Sequence, residues 1–335
     1  MDSKITKKRL NDYFSYEWVV MVAIIVASIF LWELFYGFAS VKPTVGQEFK
    51  FYYDLGISSD NAKSFKTLLE EKNVLSYDVL VCDYEPISEK YDTLRVRLGV
   101  GEGDVIISEC TSKDSEGNDL LSVRANYLID MFPVYTFDDL IKDAKAYLKT
   151  LVKDGAADGA ETDYQNFSEN FDLAKIKAGF DKRLGNDNRF RSEGDKKAGV
   201  QKEIDRVKKL VKDVHDLEYF LQNAPDEYFY RYTKYQETYF TYKDLDEHWD
   251  HYKDQYRPLY EAEVLNRPNA RYALNVGALS GGANPSLYFK KAGATDSTDV
   301  VIMAFNFKEM QPELQFECVS FMSMIVREFS DVIPQ

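Results

Sequence analysis

The longest apolar run of the chain lies near its amino terminus. It extends from Val19 to Phe38 with Glu33 as its one charge, and about 20 apolar residues are what a helix needs to cross a bilayer. Tyrosine, phenylalanine and tryptophan crowd both ends, as amphipathic rings do at membrane interfaces. Four basic residues precede the run: Lys4, Lys7, Lys8 and Arg9. By the positive-inside rule the amino terminus is expected in the cytoplasm and the remaining chain outside the cell.

A cleaved signal peptide is the alternative interpretation of this run. Gly37, Phe38 and Ala39 form a small-x-small sequence at which cleavage could occur. Signal peptides, however, have apolar regions of only ~7–15 residues. The run is longer and carries Glu33, so we favour an uncleaved anchor over residues 18–39, preceded by a cytoplasmic tail over residues 1–17.

Beyond a short tether, strand and helix patterns alternate. The sequence predicts strands at residues 49–53, 79–82 and 105–108, separated by helices that begin near Ser58-Ser59-Asp60 and at residues 86–98. The second strand is unbroken in its hydrophobicity, which is typical of buried parallel strands. This order predicts a parallel, right-handed α/β layer.

The middle of the chain has a helical pattern. Apolar residues recur at intervals of four and three on an otherwise charged stretch, namely Val200, Ile204, Val207, Val211, Val214, Leu217 and Leu221. A tyrosine-rich stripe continues the rhythm from Tyr228 to Tyr260. We predict two antiparallel helices, with the tyrosines either packed on the first helix or forming a platform for sugars or a partner. Rings off this seam are the candidate partner-binding residues, Phe229, Tyr230 and Phe240.

Strands return near the carboxyl terminus. Residues 271–276 and 299–307 have strand patterns and are expected to rejoin the sheet begun by residues 49–108, followed by a buried helix over residues 314–329. The expected fold class is therefore α/β, with an amino-terminal transmembrane helix. Its extracellular domain comprises residues 40–152 and 266–335, and residues 153–265 are a helical insertion.

The composition of the chain limits the classes of partner that it can bind. The net charge of −14 argues against nucleic acid, because that binding needs clustered Lys and Arg. Three cysteines without CxxC spacing, Cys82, Cys110 and Cys318, allow at most one disulfide. Buried small hydrophobes are the favoured interpretation of Cys82 and Cys318.

No motif indicates catalysis, a cofactor or a metal. Gly99, Gly101 and Gly103 close a helix and lead into a strand, the reverse of a dinucleotide fingerprint. The acidic residues of the turn-rich stretch 153–170 do not have the spacing of a calcium loop. His248 and His251 stand three residues apart, but no third zinc ligand is indicated. We expect a protein that is not an enzyme and has no cofactor.

Parts of the α/β region resemble a known family. The segments are Tyr77–Val81, the helix with Leu94-Arg95-Val96-Arg97-Leu98, the turn and strand Gly101–Ile106, and Met131–Ile141. Together they resemble the first lobe of the extracellular solute-binding proteins of ABC importers, over about residues 48–148. Those proteins have two lobes of alternating strands and helices, whereas this chain becomes helical and aromatic after residue 150. None of the family's binding residues is carried over.

The resemblance implies a membrane-anchored component that binds a small, sugar-like solute for an ABC importer, with the permease or another membrane protein as partner. The bilayer is contacted through residues 19–38. Candidate ligand-binding residues stand at or after the three strands: Tyr53, Asp54, Tyr84, Glu85 and Glu109. The alternative is a non-catalytic scaffold that uses a degenerate solute-binding fold and the helical hairpin to bind a partner protein.

Overall fold

The chain has two compact units, Met1–Pro43 and Thr44–Gln335. A computed structural model describes residues 7–8, 11, 18–39, 43, 45–54, 59–87, 92–110, 112–113, 119–120, 124–185, 187–232, 270–291, 293–307 and 316–334.

The first unit contains the predicted apolar helix, α1 (Trp18–Ala39). Its stretch Trp18–Tyr36 has a mean hydropathy of 2.4 and is long and apolar enough to cross a membrane. The hydroxyl of Ser28 donates a hydrogen bond to the carbonyl of Ile24 at 2.7 Å, so this polar group is satisfied within the helix, as hydrocarbon surroundings require. The helix expected over residues 18–39 is thus present.

The second unit is built on a six-stranded mixed sheet. The strands are β1 (Glu48–Asp54), β2 (Val81–Ile87), β3 (Val105–Glu109), β6 (Phe229–Tyr232), β7 (Ala270–Asn275) and β8 (Val300–Ala304). Their order is β2-β1-β3-β8-β7-β6. A separate antiparallel ribbon pairs β4 (Ser112–Lys113) with β5 (Asp119–Leu120).

The first three strands pair in parallel, with Phe51 opposite both Tyr84 and Val105. β8 runs antiparallel to β3, with Ile107 opposite Ile302, and β7 runs antiparallel to β8. The predicted parallel layer is therefore confirmed, and so is the return of the carboxyl-terminal strands to the same sheet. Both follow from apolar strands that must bury their faces against helices.

Helices cover both faces of the sheet. They are α2 (Ser59–Glu71), α3 (Asp92–Gly99), α4 (Arg124–Met131), α5 (Phe137–Lys149), α6 (Phe167–Asn170), α7 (Leu173–Leu184), α8 (Glu193–Asn223) and α9 (Glu317–Phe329). Phe49, Phe51 and Tyr53 of β1 point into the larger core, with α2, α5, α8 and α9. Tyr52 and its neighbours on the opposite face pack with α3 and α4. This alternation is the two-residue period of a strand buried on both sides.

The second strand differs from its prediction. β2 extends to Ile87, where a helix was expected to have begun near Pro86, and α3 comprises Asp92–Gly99. β2 also lies at the edge of the sheet and exposes Val81 and Asp83, so the predicted burial was wrong. Proline is tolerated in β2 because the outward side of an edge strand makes no hydrogen bonds to a neighbouring strand. The N–H that Pro86 lacks is therefore not needed on that side.

The predicted helical hairpin is confirmed only in its first helix. Along α8 the stripe residues Val207, Val211, Val214 and Leu217 are fully buried. They belong to the same core as the sheet. After Pro225 the chain forms a short 3₁₀ turn, and then β6, which pairs with β7.

Residues 229–232 are therefore a strand, and the second helix does not start at Tyr228. The aromatic residues Phe229, Tyr230 and Tyr232 suit a strand as well as a helix, and pairing with β7 decides between them. The rest of the tyrosine stripe, with Phe240, His248 and His251, lies outside the described residues.

Candidate functional site

A network of buried ion pairs lies beneath α8. Arg183 donates to Asp78 at 3.1 Å and to both carboxylate oxygens of Glu203 at 3.2 and 2.8 Å. Arg206 donates to the same Glu203 oxygens at 3.1 and 2.9 Å. Arg189 reaches the second oxygen of Asp78 at 3.0 Å. The two carboxylates are almost inaccessible, Asp78 at 0 % and Glu203 at 2 % exposure; we name this group the Glu203 network.

Four segments supply the Glu203 network. Asp78 follows the turn after α2, Arg183 lies in the last turn of α7, and Arg189 lies in a 3₁₀ turn before α8. Glu203 and Arg206 are three residues apart on α8, which places them on one face. The network therefore joins three segments to the long helix by charge-assisted bonds.

The charges explain the ionisation of Glu203. Burial by itself would raise the pKa of this carboxyl, but the charges of Arg206 and Arg183 and their hydrogen bonds lower it to about 2. Glu203 is thus ionised across the physiological range. Its remaining contact is the hydroxyl of Tyr77, which donates to Oε2 at 2.9 Å.

A cleft of about 240 Å³ opens beside this network. One wall is the turn Val74–Tyr77, a second is the α8 face that carries Lys202, Asp205, Arg206 and Lys209, and the third is Glu317 and Ser320 of α9. The cleft, called the α8 cleft below, is small compared with usual ligand pockets of about 300–1,000 Å³. Its size suits a small solute.

Glu317 is the notable group in the α8 cleft. Its Oε2 accepts a hydrogen bond from the backbone N–H of Ser76 at 3.0 Å. Burial raises the pKa of this carboxyl, while Arg206, Ser76 and Lys209 act in the opposite direction. A carboxyl with a perturbed pKa inside a cleft is a physical indication of a functional site.

A second depression, of about 400 Å³, lies between α5, α8 and β7. Four of its charged residues form two ion pairs, Lys145 with Glu218 at 2.9 Å and Arg271 with Asp138 at 2.7 Å. Both of its carboxylates therefore have a basic partner, whereas Glu317 of the α8 cleft has no ion-pair partner among the described residues.

The predicted ligand-binding residues do not converge on one site. Tyr53 and Tyr84 contact each other, with ring centroids 5.9 Å apart, whereas Glu85 lies 3.9 Å from Arg97 of α3, on the other face of the sheet. Glu109 pairs with Lys291 at 3.0 Å. Asp54 ends β1. Tyr53, Tyr84, Glu85 and Glu109 do not line the α8 cleft. The pleat of the strands sends alternate residues to opposite faces, which separates Glu85 from Tyr53 and Tyr84.

The predicted partner-binding residues are also placed differently. Phe229 is only 5 % exposed and packs edge-on against Phe137 and Phe220, with the Arg271 guanidinium 5.2 Å from its ring. Its predicted exposure was wrong. Tyr230 is half-buried, and its hydroxyl donates to Asn126.

Cysteines and histidines do not form a site in the part of the chain that the structure describes. Cys82, Cys110 and Cys318 are all free thiols; Cys318 is buried as predicted, whereas Cys82, for which burial was also predicted, is only partly buried. The described residues contain no group of three metal-ligating side chains. The ring of His215 contacts Tyr164 edge-on at 5.0 Å.

Sequence reasoning missed Arg183, Arg189, Glu203, Arg206 and Glu317. A partial signal existed, because Glu203 and Arg206 directly precede the stripe residues Ile204 and Val207 and so border the buried face of α8. The partners Asp78 and Arg183 lie 125 and 20 residues away from Glu203 in the chain, and no local pattern connects them.

Comparison with known proteins adds no relative: no protein-family model, curated protein or solved structure matches this chain.

Proposed function

We propose that this chain is a membrane-anchored binding protein that captures a small polar solute in the α8 cleft. The observation that carries the proposal is the cleft itself, a concavity with polar side chains on two helices and a turn. It lies between α8, α9 and the turn that follows α2.

The walls of the α8 cleft are held in place before any ligand arrives. Arg206 is fixed by Glu203, and its Nη2 also donates to the hydroxyl of Tyr147 at 2.8 Å. Tyr77 is fixed by Glu203, and Ser320 donates to Asp213 at 2.6 Å. Pre-organised walls support binding because little conformational entropy is lost when a ligand is bound.

The domain is proposed to lie outside the cell, with α1 as its anchor and the basic amino terminus in the cytoplasm. Delivery of the solute to an ABC importer is what the family resemblance implies. Protease added to intact cells is expected to degrade residues 44–335 and to spare an amino-terminal tag. Protection of the domain until the cells are lysed would show the opposite orientation.

Ligand binding is expected to raise the melting temperature of the full-length protein in detergent. The panel is monosaccharides, amino acids, primary amines, carboxylates and divalent cations. A ligand at 100 times its Kd stabilises the folded state by about 2.7 kcal/mol, which shifts the melting temperature by a few degrees. Differential scanning fluorimetry gives the measurement.

Two variants test whether the ligand binds in the α8 cleft. Leu75→Trp fills the α8 cleft and is expected to abolish the shift, while Leu173→Trp, at a half-exposed position on α7 outside the cleft, should retain it. If no class of ligand shifts the melting temperature, or if the shift survives in Leu75→Trp, the proposed function is wrong.

The scaffold alternative has less support. It was motivated by the missing second lobe and by the coiled-coil rhythm of a helical hairpin, but residues 229–232, where the second helix was predicted to begin, form a strand, and the candidate partner-binding ring Phe229 is buried.

A further inference from the structure

Most polar groups of the α8 cleft are already engaged with the protein. Arg206 pairs with Glu203, and Lys209 pairs with Asp213 at 2.8 Å. Tyr77 and Ser320 donate to Glu203 and Asp213. These groups shape the cleft, and their charges are largely neutralised before a ligand enters.

Glu317 is in a different position. Its carboxylate accepts the Ser76 N–H, yet no Lys, Arg or His nitrogen of the described chain lies within ion-pair distance of it, and it is only partly accessible to water. Arg206 and Lys209 favour the ionised carboxylate from beyond ion-pair distance, but a poorly hydrated carboxylate with no direct counterion remains costly. A cationic ligand group would remove that cost.

The remaining unpaired charges lie nearer the mouth of the cleft. Lys202 and Asp205 are both exposed on α8, and neither has an ion-pair partner among the described residues. The unpaired groups are therefore two carboxylates and one ammonium. Val74, Leu75 and Leu210 supply apolar surface between them.

We propose that the α8 cleft selects small solutes that carry a primary ammonium group, with the ammonium on Glu317. This inference rests on the proposed function and names its ligand class. A second, carboxylate group on the solute would meet Lys202, so that an α-amino acid satisfies both ends. A small anion would face two unpaired carboxylates, and a neutral sugar would leave Glu317 without a counterion.

Isothermal titration of the full-length protein in detergent tests the assignment with three probes of similar shape. L-Valine carries both charges, isobutylamine lacks the carboxylate, and isobutanol lacks both. Valine and isobutylamine are expected to bind, valine more tightly, and isobutanol is not. The ranking follows from the number of unpaired charges that each probe satisfies.

Two variants test which residue binds each end of the ligand. Glu317→Gln keeps an acceptor for the Ser76 N–H and is expected to weaken both amines at least 10-fold, which is about 1.4 kcal/mol. Lys202→Met should weaken the binding of valine and leave the affinity for isobutylamine unchanged. Glu193→Gln, an exposed position in the first turn of α8 outside the cleft, is the control and should change neither.

The pH dependence gives a readout that does not require a variant. Arg206 and Lys209 of α8 and the N–H of Ser76 favour the ionised Glu317 carboxyl, and Asp205 lies at the mouth of the cleft. Asp104 and Cys318 are the other titratable groups that interact with it. Burial nevertheless raises the pKa of Glu317. Because the ammonium needs the ionised carboxylate, affinity for isobutylamine should fall as pH decreases through that pKa, and Glu317→Gln should remove the dependence.

The outcomes separate the two proposals. A sugar or isobutanol that binds in the α8 cleft, or valine affinity that is unchanged in Glu317→Gln, would overturn the ammonium assignment and leave the proposed function standing. Failure of every ligand in the larger panel would overturn both.

Discussion

Replacing Glu203 with glutamine is expected to destabilise the second unit by about 3–5 kcal/mol, the usual cost of removing one partner from a buried ion pair. Arg183 and Arg206 each donate two hydrogen bonds to this carboxylate. A neutral amide accepts at one atom only, so both guanidinium groups keep their charge with less compensation. Urea denaturation of the full-length protein in detergent at pH 7 measures the loss.

Glu218→Gln is the matched control. Glu218 also lies on α8 and pairs with a basic residue, Lys145, but its side chain is 33 % exposed. Because exposed pairs contribute only about 0–1 kcal/mol, this variant should lose less than 1 kcal/mol. Equal losses in the two variants would contradict the role assigned to burial.

The Glu203 effect has a defined pH dependence. The folded-state pKa of about 2 lies below the ordinary value of 4.5, so the contribution is present above pH 4.5 and is lost as pH falls through 2. The stability difference between the native protein and Glu203→Gln should therefore shrink over this window. A difference that stays constant from pH 7 to pH 2 would argue against the ionised network.

Truncation of Phe65 to alanine is expected to cost about 3–5 kcal/mol, the range for large aromatic residues in a core. Phe65 is fully buried and lies at the centre of an aromatic cluster. Its ring centroid is 4.7 Å from Phe289, 5.5 Å from Phe321 and 5.7 Å from Phe51. Removing the ring leaves a cavity between α2, α9 and β1. The same urea denaturation measures the change.

Val96→Ala is the control for the Phe65 variant. Val96 is 70 % exposed on α3, and surface substitutions of this kind change stability by about 0.5 kcal/mol or less. A loss below 1 kcal/mol for Phe65→Ala would mean that the aromatic cluster does not form as described.

Local patterns predicted much of the fold. The apolar run of α1, the parallel strands β1 and β3, the helix α8 and the strands β7 and β8 all follow from the spacing of apolar residues. The predictions for β2 and for the region after Pro225 were partly wrong. The edge position of β2 and the pairing of residues 229–232 with β7 are properties of the assembled sheet. The aromatic residues within 229–232 fit the period of a strand as well as that of a helix.

The site could be predicted far less well. Tyr53, Tyr84 and Glu85 were chosen because they stand at or beyond strands, and the pleat then divides them between two faces. Glu317 has no distinguishing neighbour in the chain. Its importance comes from a turn that lies 241 residues away and supplies the Ser76 N–H.

The sequence by itself determined that the chain has an apolar helix able to span a membrane and an α/β domain, because both depend on hydrophobic periodicity, which neighbouring residues encode. Only the tertiary structure decided which charges are buried and which remain unpaired. The Glu203 network and the α8 cleft join segments between 20 and 241 residues apart. The environment of a charge, and therefore its chemistry, is set by those distant neighbours.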